Sequence, residues 1–196
     1  ISATGASDYS MTMDGQIVPA PQVLKFWSDA GPEKWFKKDD AFDEQIRQTF
    51  MSTYVAAAAG GLDHWLDDGA ASATALIIVL DQFPRNMFRN DARAFAADSK
   101  ALALAQEILA RGLDKDMSMP LRKFIYMPFM HAEDSAAQQR CIDLFTALDD
   151  EESARYAKIH ADIIARFGRF PHRNKVLGRD TTPEEQAFLD AGGFAG

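Results

Sequence analysis

The sequence predicts an all-α protein, and three observations lead to this prediction. Apolar residues recur at spacings of three and four in most segments, as they do along one face of a helix. Asp, Ser, Thr or Pro precede several of these segments and Gly follows them, which is the usual order of helix start and stop signals. No segment of alternating β-branched residues indicates a strand. Short connections between the helices further predict antiparallel neighbours, as in bundles or arrays of helical hairpins.

Length and composition indicate one globular domain. The chain has 196 residues, of which 47% are hydrophobic and 26% are charged, and these values are typical of an ordinary soluble protein. Residues 1–19 are rich in Ser, Thr, Gly and Met without periodicity, so we expect a flexible N-terminal arm there. Residues 20–196 are expected to form a single compact all-helical domain.

Charge and cysteine content limit the classes of partner and the compartment. A net charge of −8 repels nucleic acid and anionic membranes, so neither is predicted as a partner. No apolar run approaches the length of a membrane helix, and the N-terminus has no features of a secretory signal. Cys141 is the single cysteine, which excludes an intrachain disulfide and fits a reducing compartment. The expected localisation is therefore the cytoplasm.

The first predicted helices follow from start signals and one clear apolar stripe. Pro21 opens a short helix over residues 22–28, because a missing N–H costs nothing in a first turn. Asp39 or Asp40 is a favourable N-cap for a helix over residues 41–59. The apolar face of that helix repeats near every fourth residue, at Phe42, Ile46, Phe50 and Tyr54.

In the middle of the chain, a proline and an aspartate mark the predicted end of one helix and the predicted start of the next. Residues 71–82 are apolar almost throughout, which favours a buried helix over a buried strand. Pro84 should end this helix, because the residue before a proline avoids the helical region, and residues 85–89 are then expected in a loop or turn. Asp98 is predicted to cap a helix over residues 99–111.

The last third of the chain contains the strongest start signal. A helix over residues 122–127 should be interrupted by Pro128. Further helices are predicted up to residue 148 and over residues 153–167. A final helix begins at Thr-Pro-Glu-Glu, with Thr182 as N-cap and Glu185 completing a capping box.

A set of short strings is similar to strings of one known family. The two most specific are Asp-Gln-Phe-Pro-Arg-Asn at residues 81–86 and Gly-Arg-Phe-Pro-His-Arg-Asn at residues 168–174. Others are Val-Leu-Lys-Phe-Trp at 23–27, Arg-Ala-Phe-Ala-Ala-Asp at 93–98, Tyr-Met-Pro-Phe-Met-His-Ala-Glu at 126–133 and Leu-Gly-Arg at 177–179. The chain thus resembles, over nearly everything after residue 21, the uncharacterised bacterial family catalogued as domain of unknown function 924. The resemblance implies an all-helical fold related to the tetratricopeptide superfamily, and it implies no established activity or catalytic residues.

A basic stretch stands out in this acidic chain. Five Arg and Lys residues occur between Arg166 and Arg179 with no Asp or Glu among them. The stretch contains Phe-Pro followed by Arg-Asn, as do residues 83–86. Guanidinium groups bind carboxylate or phosphate bidentately, so we predict a site for a small anion. The predicted ligand-binding residues are Asp81, Arg85, Asn86, Arg89, Arg169, Arg173, Asn174 and Arg179.

The candidate catalytic residues are His131, Glu133 and His172, since a histidine and a carboxylate near a helix break can act as acid and base. Met130 and Ala132 stand beside His131 where the family usually has Glu and Ser, which removes polar groups from this candidate site. Metal-ligand spacings such as His-Glu-x-x-His are missing, and no metal is predicted. Glycine motifs for nucleotides are missing as well, and no cofactor is predicted. The sequence leaves open whether the protein is an enzyme.

Two interpretations of function stay open. In the first, an Arg- and His-rich polar pocket binds a small anionic molecule through its phosphate or carboxylate group, with or without catalysis. In the second, a tetratricopeptide-like module binds a protein partner, and the Arg and Asp residues are purely structural. Asp81 fits the second interpretation, because a carboxylate that follows five apolar residues needs a cation such as Arg85 for its burial.

Overall fold

The computed structural model describes residues 15–196, and within this range it contains helices and no strand. The predicted all-α fold is confirmed. The helices are α1 Ala20–Ala30, α2 Pro32–Trp35, α3 Asp40–Ala58, α4 Ala70–Ile77, α5 Phe83–Met87, α6 Asp98–Ala110, α7 Arg122–His131, α8 Ser135–Ala147, α9 Glu151–Phe167 and α10 Pro183–Asp190. Single 3-10 turns occur at Asp63–Leu66, Ala92–Phe95, Leu113–Asp116 and Pro171–Arg173, and a π-helical turn, Ile78–Gln82, joins α4 to α5.

Only the last part of the predicted N-terminal arm falls within the described residues. Residues 1–14 lie outside them. Val18 is buried, and its backbone N–H donates to the hydroxyl of Thr53 on α3 at 2.8 Å. Residues 15–19 are thus non-helical but anchored at Val18.

The chain divides into two compact units, one made of residues up to 89 with 93–125 and the other of residues 90–92 with 126–196. The predicted single domain over residues 20–196 stays a prediction.

The core of the first unit is aromatic and follows the predicted stripe of α3. Phe42, Ile46 and Phe50 are all buried. The ring of Phe50 lies 4.5 Å from that of Phe83, and the ring of Phe26 lies 5.6 Å from that of Phe42. Rings at such separations stabilise a core beyond the area they bury. The aromatic residues of α1 and α3 are therefore core residues of this unit.

Pro84 does not end the helical path, and this prediction was wrong. The chain widens into the π-helical turn, in which the N–H of Phe83 donates to the carbonyl of Ile78 five residues earlier. Pro84 then lies in the first turn of α5, where its missing N–H has no intrahelical partner to lose. Arg85 and Asn86 therefore lie on a helix and not in a loop.

Two further local predictions were wrong. Pro128 lies inside α7 instead of interrupting it, and Ile125 and Phe129 of the same helix are buried. Asp98 is the first residue of α6 and not its cap, and Ala97 takes the cap position. The carboxylate of Asp98 is bonded to Arg85 instead.

The second unit is built on α8 and α9, whose ends carry the expected signals. Asp134 caps α8 and Asp150 caps α9 through their side chains. Gly168 ends α9 with a left-handed φ of 72°. Cys141 on α8 is fully buried, and burial raises the pKa of its thiol to about 12, so it is unreactive. The predicted capping box of Thr182 is also present at the start of α10.

Candidate functional site

In the first unit, the predicted site residue Asp81 is 0% exposed and lies on the π-helical turn. Its Oδ2 accepts a hydrogen bond from the side chain of Gln82 at 2.8 Å. Its Oδ1 lies 3.6 Å from Nη1 of Arg85. Arg85 also donates through Nη1 and Nη2 to the two carboxylate oxygens of Asp98, at 2.8 and 2.9 Å. Burial opposes the charge of Arg85, but Asp81 and Asp98 outweigh it and raise the pKa of the guanidinium.

Asn86 and Arg89 converge on a carboxylate that was not among the predicted site residues. Asp43, on the first turn of α3, is 5% exposed. Its Oδ1 accepts from Nδ2 of Asn86 at 2.8 Å and from Nη2 of Arg89 at 3.0 Å, and its Oδ2 accepts from Nε of Arg89. The sequence does carry a signal for this contact. Asp43 lies three residues before Ile46 and seven before Phe50, and therefore on the buried face of α3.

In the second unit, Glu133 is held by the loop between α9 and α10. Arg179 donates through Nη1 to Oε2 at 2.7 Å and through Nη2 to Oε1 at 2.9 Å, and the N–H of Phe170 donates to Oε1 at 2.8 Å. Burial favours the neutral acid, but the contacts of Arg179 and Phe170 outweigh burial and lower the pKa of Glu133. Both oxygens of Glu133 thus accept hydrogen bonds that favour its ionised form, and the residue anchors the loop.

Glu185 is a second anchor that the sequence indicated only as part of a capping box. Arg169 donates through Nε and Nη2 to its two oxygens at 3.1 and 2.8 Å, and Asn174 donates through Nδ2 at 2.7 Å. The hydrogen bonds of Arg169 above all, and those of Asn174 and the Thr182 backbone, lower the pKa of Glu185 to about 2. A capping box is a local pattern, and nothing in its spacing indicates that its glutamate also binds a distant arginine.

The two anchors belong to one continuous network. Nε of Arg179 donates to Oδ1 of Asn174 at 2.9 Å, so that Asn174 bridges Arg179 and Glu185. The network therefore runs from Glu133 through Arg179, Asn174 and Glu185 to Arg169. It ties the loop that follows α9 both to the end of α7 and to the start of α10.

Arg173 and His172 lie in the middle of this tied loop. Arg173 is 7% exposed, its Nη2 donates to the backbone carbonyl of His131 at 3.0 Å, and its guanidinium carbon lies 4.6 Å from the ring centroid of Phe170. The ring of His172 lies 5.9 Å from that of Phe170 and 6.0 Å from that of Phe194. The contact between Arg173 and His131 is thus made with the backbone carbonyl of His131.

The predicted site residues thus form two groups, one in each unit. Asp81, Arg85, Asn86 and Arg89 belong to the first unit, and His131, Glu133, Arg169, His172, Arg173, Asn174 and Arg179 belong to the second. Three further carboxylates contact the residues of these groups, although they were not predicted as site residues. They are Asp43, Asp98 and Glu185. Over residues 15–196, no three His, Cys, Asp or Glu side chains are grouped so as to hold a metal ion. None of the helices in that range has the length and apolar character needed to cross a membrane.

Comparisons with known proteins agree with the resemblance seen in the sequence. The model of a family described as a bacterial protein of unknown function, DUF924, matches residues 23–193. The solved structure of a protein of unknown function from Agrobacterium tumefaciens is 50% identical and has a TM-score of 0.85, and the match covers 88% of this chain and 97% of that chain. No curated protein matches the chain. Because the family model spans most of the sequence, the chain belongs to the DUF924 family of bacterial proteins of unknown function.

Proposed function

We propose that the protein binds a small anionic molecule, through a phosphate or carboxylate group, at His172 and Arg173. One observation supports this function above the others. The loop between α9 and α10 is tied on both sides of these residues, through Arg169 and through Arg179, by bidentate ion pairs with glutamates. A cation and an imidazole in the middle of such a loop are preorganised for a ligand.

Preorganisation matters here because a long side chain loses freedom when a ligand orders it. That loss costs about 0.5–1.5 kcal/mol for each immobilised side chain. Arg173 is already placed between the ring of Phe170 and the carbonyl of His131. Little of its freedom remains to be lost, so a bidentate contact with a carboxylate or a phosphate retains most of its favourable free energy.

The other predicted ligand-binding arginines are assigned to the scaffold. Arg85, Arg89, Arg169 and Arg179 each face a carboxylate of their own unit in a salt bridge. An incoming anion at any of them would have to displace a carboxylate that already accepts hydrogen bonds from that guanidinium. Their role in this proposal is to hold helices and the loop in place, together with Asp81, Asn86 and Asn174.

The proposed function is binding, and it includes no reaction. Glu133 keeps both oxygens in hydrogen bonds and its pKa is lowered, whereas a general acid or base at neutral pH needs a pKa near 7. The predicted acid–base roles of His131, Glu133 and His172 stay predictions.

Arg173→Ala tests the proposed function directly. Wild-type protein titrated with phosphate or acetate should show saturable NMR shifts within residues 168–182. Loss of a charge-assisted contact is worth about 1.5–3 kcal/mol, so the variant should bind at least about tenfold more weakly. Lys175→Ala is the matched control, since Lys175 is an exposed cation in the same loop, and it should bind nearly as wild type does.

Two results would contradict this function. One is the lack of any saturable shift in the wild-type protein, and the other is unchanged affinity in a folded Arg173→Ala variant. If Arg173→Ala unfolds, Arg173→Lys serves instead. Lysine keeps the charge but lacks the planar fork of two donors, so affinity should fall without loss of the net charge.

A tetratricopeptide-like module for a protein partner is the second candidate function. Phe36 is 59% exposed, and Nζ of Lys123 lies 5.3 Å from its ring centroid. Exposed aromatic rings are enriched where proteins bind one another, and the adjacent cation suits an acidic segment of a partner. An array of acidic peptides should bind the wild-type protein and not Phe36→Ala if this function holds. Equal binding of both proteins would exclude Phe36 as the contact.

A further inference from the structure

The segment 191–196, which follows α10, lies over the loop that contains His172. The ring of Phe194 in this segment lies 4.6 Å from the ring of His160 on α9 and 6.0 Å from the ring of His172, centroid to centroid. Phe170 closes a cycle of four rings, at 5.5 Å from His160 and 5.9 Å from His172. Each imidazole thus contacts both Phe194 and Phe170, and Phe194 also packs against the apolar cluster that contains Phe170.

Two glycines allow the segment to take this path. Gly192 has a φ of 77°, which residues with a side chain rarely adopt. A Cβ on Gly193 would lie 2.5 Å from a ring atom of Phe188 and 2.6 Å from its carbonyl oxygen, which accepts the N–H of Gly193 at 3.0 Å. Replacing Gly193 by Ala should therefore displace the segment, and Phe194 with it, without a substitution at His160, Phe170 or His172.

Phe170 and His160 are held more firmly than Phe194. Phe170 is fully buried and lies in the tied loop. His160 is buried on α9, and its Nδ1 lies 2.7 Å from the carbonyl oxygen of Tyr156. Phe194, by contrast, is only partly buried. If Phe194 leaves, the space that it fills beside the two imidazoles becomes free for another ring.

We propose that His160, Phe170 and His172 form a socket for an aromatic ring, and that Phe194 occupies it in place of the ring of a small aromatic acid. This inference rests on the anion-binding function proposed above. The guanidinium of Arg173 lies 4.6 Å from the ring centroid of Phe170, so one wall of the socket also carries the cation that binds the anion. A carboxylate attached to an aromatic ring matches both features at once, with its ring in the socket and its oxygens at Arg173.

Phe194 then acts as an intramolecular competitor. The apparent affinity of a site is reduced by the fraction of molecules in which the site is closed. Removing the competitor should therefore strengthen the binding of an aromatic acid and leave the binding of a non-aromatic acid of similar charge almost unchanged. This difference separates the socket from the anion site alone.

Benzoate and acetate are the two probes, with affinities measured by NMR titration of the full chain. Phe194→Ala should bind benzoate about tenfold more tightly than wild type, with a change of less than about twofold for acetate. Gly193→Ala should shift benzoate affinity in the same direction. Val55→Ala is the control, since it shortens an exposed apolar side chain in the first unit, and it should behave as wild type.

The outcomes separate this inference from the function on which it rests. If acetate and benzoate bind equally and neither Phe194→Ala nor Gly193→Ala changes this, the socket is overturned and the anion site stands. If no protein binds either probe, both proposals fail. If Phe194→Ala binds benzoate tightly and the added change Arg173→Ala has no effect, the socket is supported and the anion site is overturned.

Chemical modification of the histidines gives a readout that does not depend on affinity. Diethyl pyrocarbonate should modify His64, which is exposed, at the same rate in every variant. His160 and His172 should react slowly in the wild type and several times faster in Phe194→Ala, and benzoate should protect them again. Equal rates at His160 and His172 in wild type and variant would show that Phe194 covers neither ring, and would overturn the inference.

Discussion

The two Phe-Pro motifs of the chain use their asparagines in the same way. In the first unit, Asn86 donates to Asp43 at 2.8 Å, and Arg89 holds the same carboxylate through Nε and Nη2. In the second unit, Asn174 donates to Glu185 at 2.7 Å, and Arg169 holds it through the same two nitrogens. A buried carboxylate shared by an asparagine and an arginine is therefore a common building block of both units.

The two motifs differ in which structural elements this building block joins. Asp43 comes from α3, 43 residues before Asn86, so the contact joins two helices. Glu185 follows Asn174 by 11 residues, so the contact closes a loop onto the next helix. The same short string thus fixes helix packing in one place and loop conformation in the other. A cluster that joins two helices, as at Asp43, belongs to the core of its unit. A loop that is held in one conformation, as at Glu185, can present its side chains to a ligand.

The arginines within the two motifs, Arg85 and Arg173, also differ in their contacts. Arg85 makes a bidentate contact with Asp98 on α6. The hydrogen bond and the ring contact described above for Arg173 are with the His131 carbonyl and with Phe170. We place the proposed anion contact at Arg173 and not at Arg85, because Arg173 lies in a loop that ion pairs tie on both sides, whereas Arg85 lies on helix α5. The two residues are equivalent in the sequence motif.

The largest expected effect comes from removing the carboxylate of the first unit. Asp43→Ala leaves the guanidinium of Arg89 and the amide of Asn86 without their acceptor. Breaking a buried pair by removing one partner costs about 3–5 kcal/mol, and the partial exposure of Arg89 reduces this to about 2–4 kcal/mol of unfolding free energy. Urea denaturation measures this loss. Asp40→Ala, an exposed residue of the same first turn, should change stability by less than about 0.5 kcal/mol, and an equal loss in both variants would contradict the role of Asp43.

A smaller loss of unfolding free energy is expected from a substitution in the second unit. Glu185→Gln keeps the shape of the side chain and its place in the capping box but removes the charge that Arg169 and Asn174 contact. The weakening of these charge-assisted hydrogen bonds should cost about 1–2 kcal/mol. The exposed neighbour Glu184 is the control, through Glu184→Gln. A loss larger than that of Asp43→Ala would show that the loop, and not the helix contact, is the more costly element to break.

The carboxylate of Glu185 should also make the stability of the protein depend on pH. The pKa of Glu185 is lowered to about 2 in the folded state, mainly by Arg169, so folding stabilises the ionised form. This stability is fully present above the ordinary pKa of about 4.3 and is lost as pH falls toward 2. The difference in unfolding free energy between wild type and Glu185→Gln should therefore shrink between pH 5 and pH 2, as measured by urea denaturation. A difference that stays constant over this range would contradict the ion pair.

The sequence predicted most of the fold because helix signals are local. Caps, glycine stops and apolar stripes each depend on residues within one or two turns, and the capping box of Thr182 is an example. Pro84 shows the limit of such signals. Whether a proline ends a helix depends on the hydrogen bonds of the preceding turn, and the π-helical register that accommodates Pro84 has no signature in the sequence.

The site was predicted from its arginines, and its carboxylates were largely missed, for a physical reason. An arginine-rich loop stands out in an acidic chain, but a carboxylate in a first helical turn is common because it interacts favourably with the helix dipole. Asp43, Asp98 and Glu185 all occupy such positions. Their cations lie 46, 13 and 16 residues away, and spacing of that size carries no pairing information. Only Asp43 had a detectable signal, namely its place on the buried face of α3.

The smallest expected effect is that of Asn86→Ala, and the other asparagine gives its direct comparison. Asn86→Ala removes one described hydrogen bond to Asp43, whereas Asn174→Ala removes the contact with Glu185 and the acceptor of Arg179. A hydrogen bond to a charged group is worth about 1.5–3 kcal/mol at most, and the remaining arginine still neutralises each carboxylate, so we expect about 1 kcal/mol for Asn86→Ala and about twice that for Asn174→Ala. Thermal and urea unfolding of both variants check this ratio. If Asn86→Ala proves the more destabilising, the bridge through Asn174 does not bind the two anchors of the loop together, and the loop is held by two independent ion pairs instead.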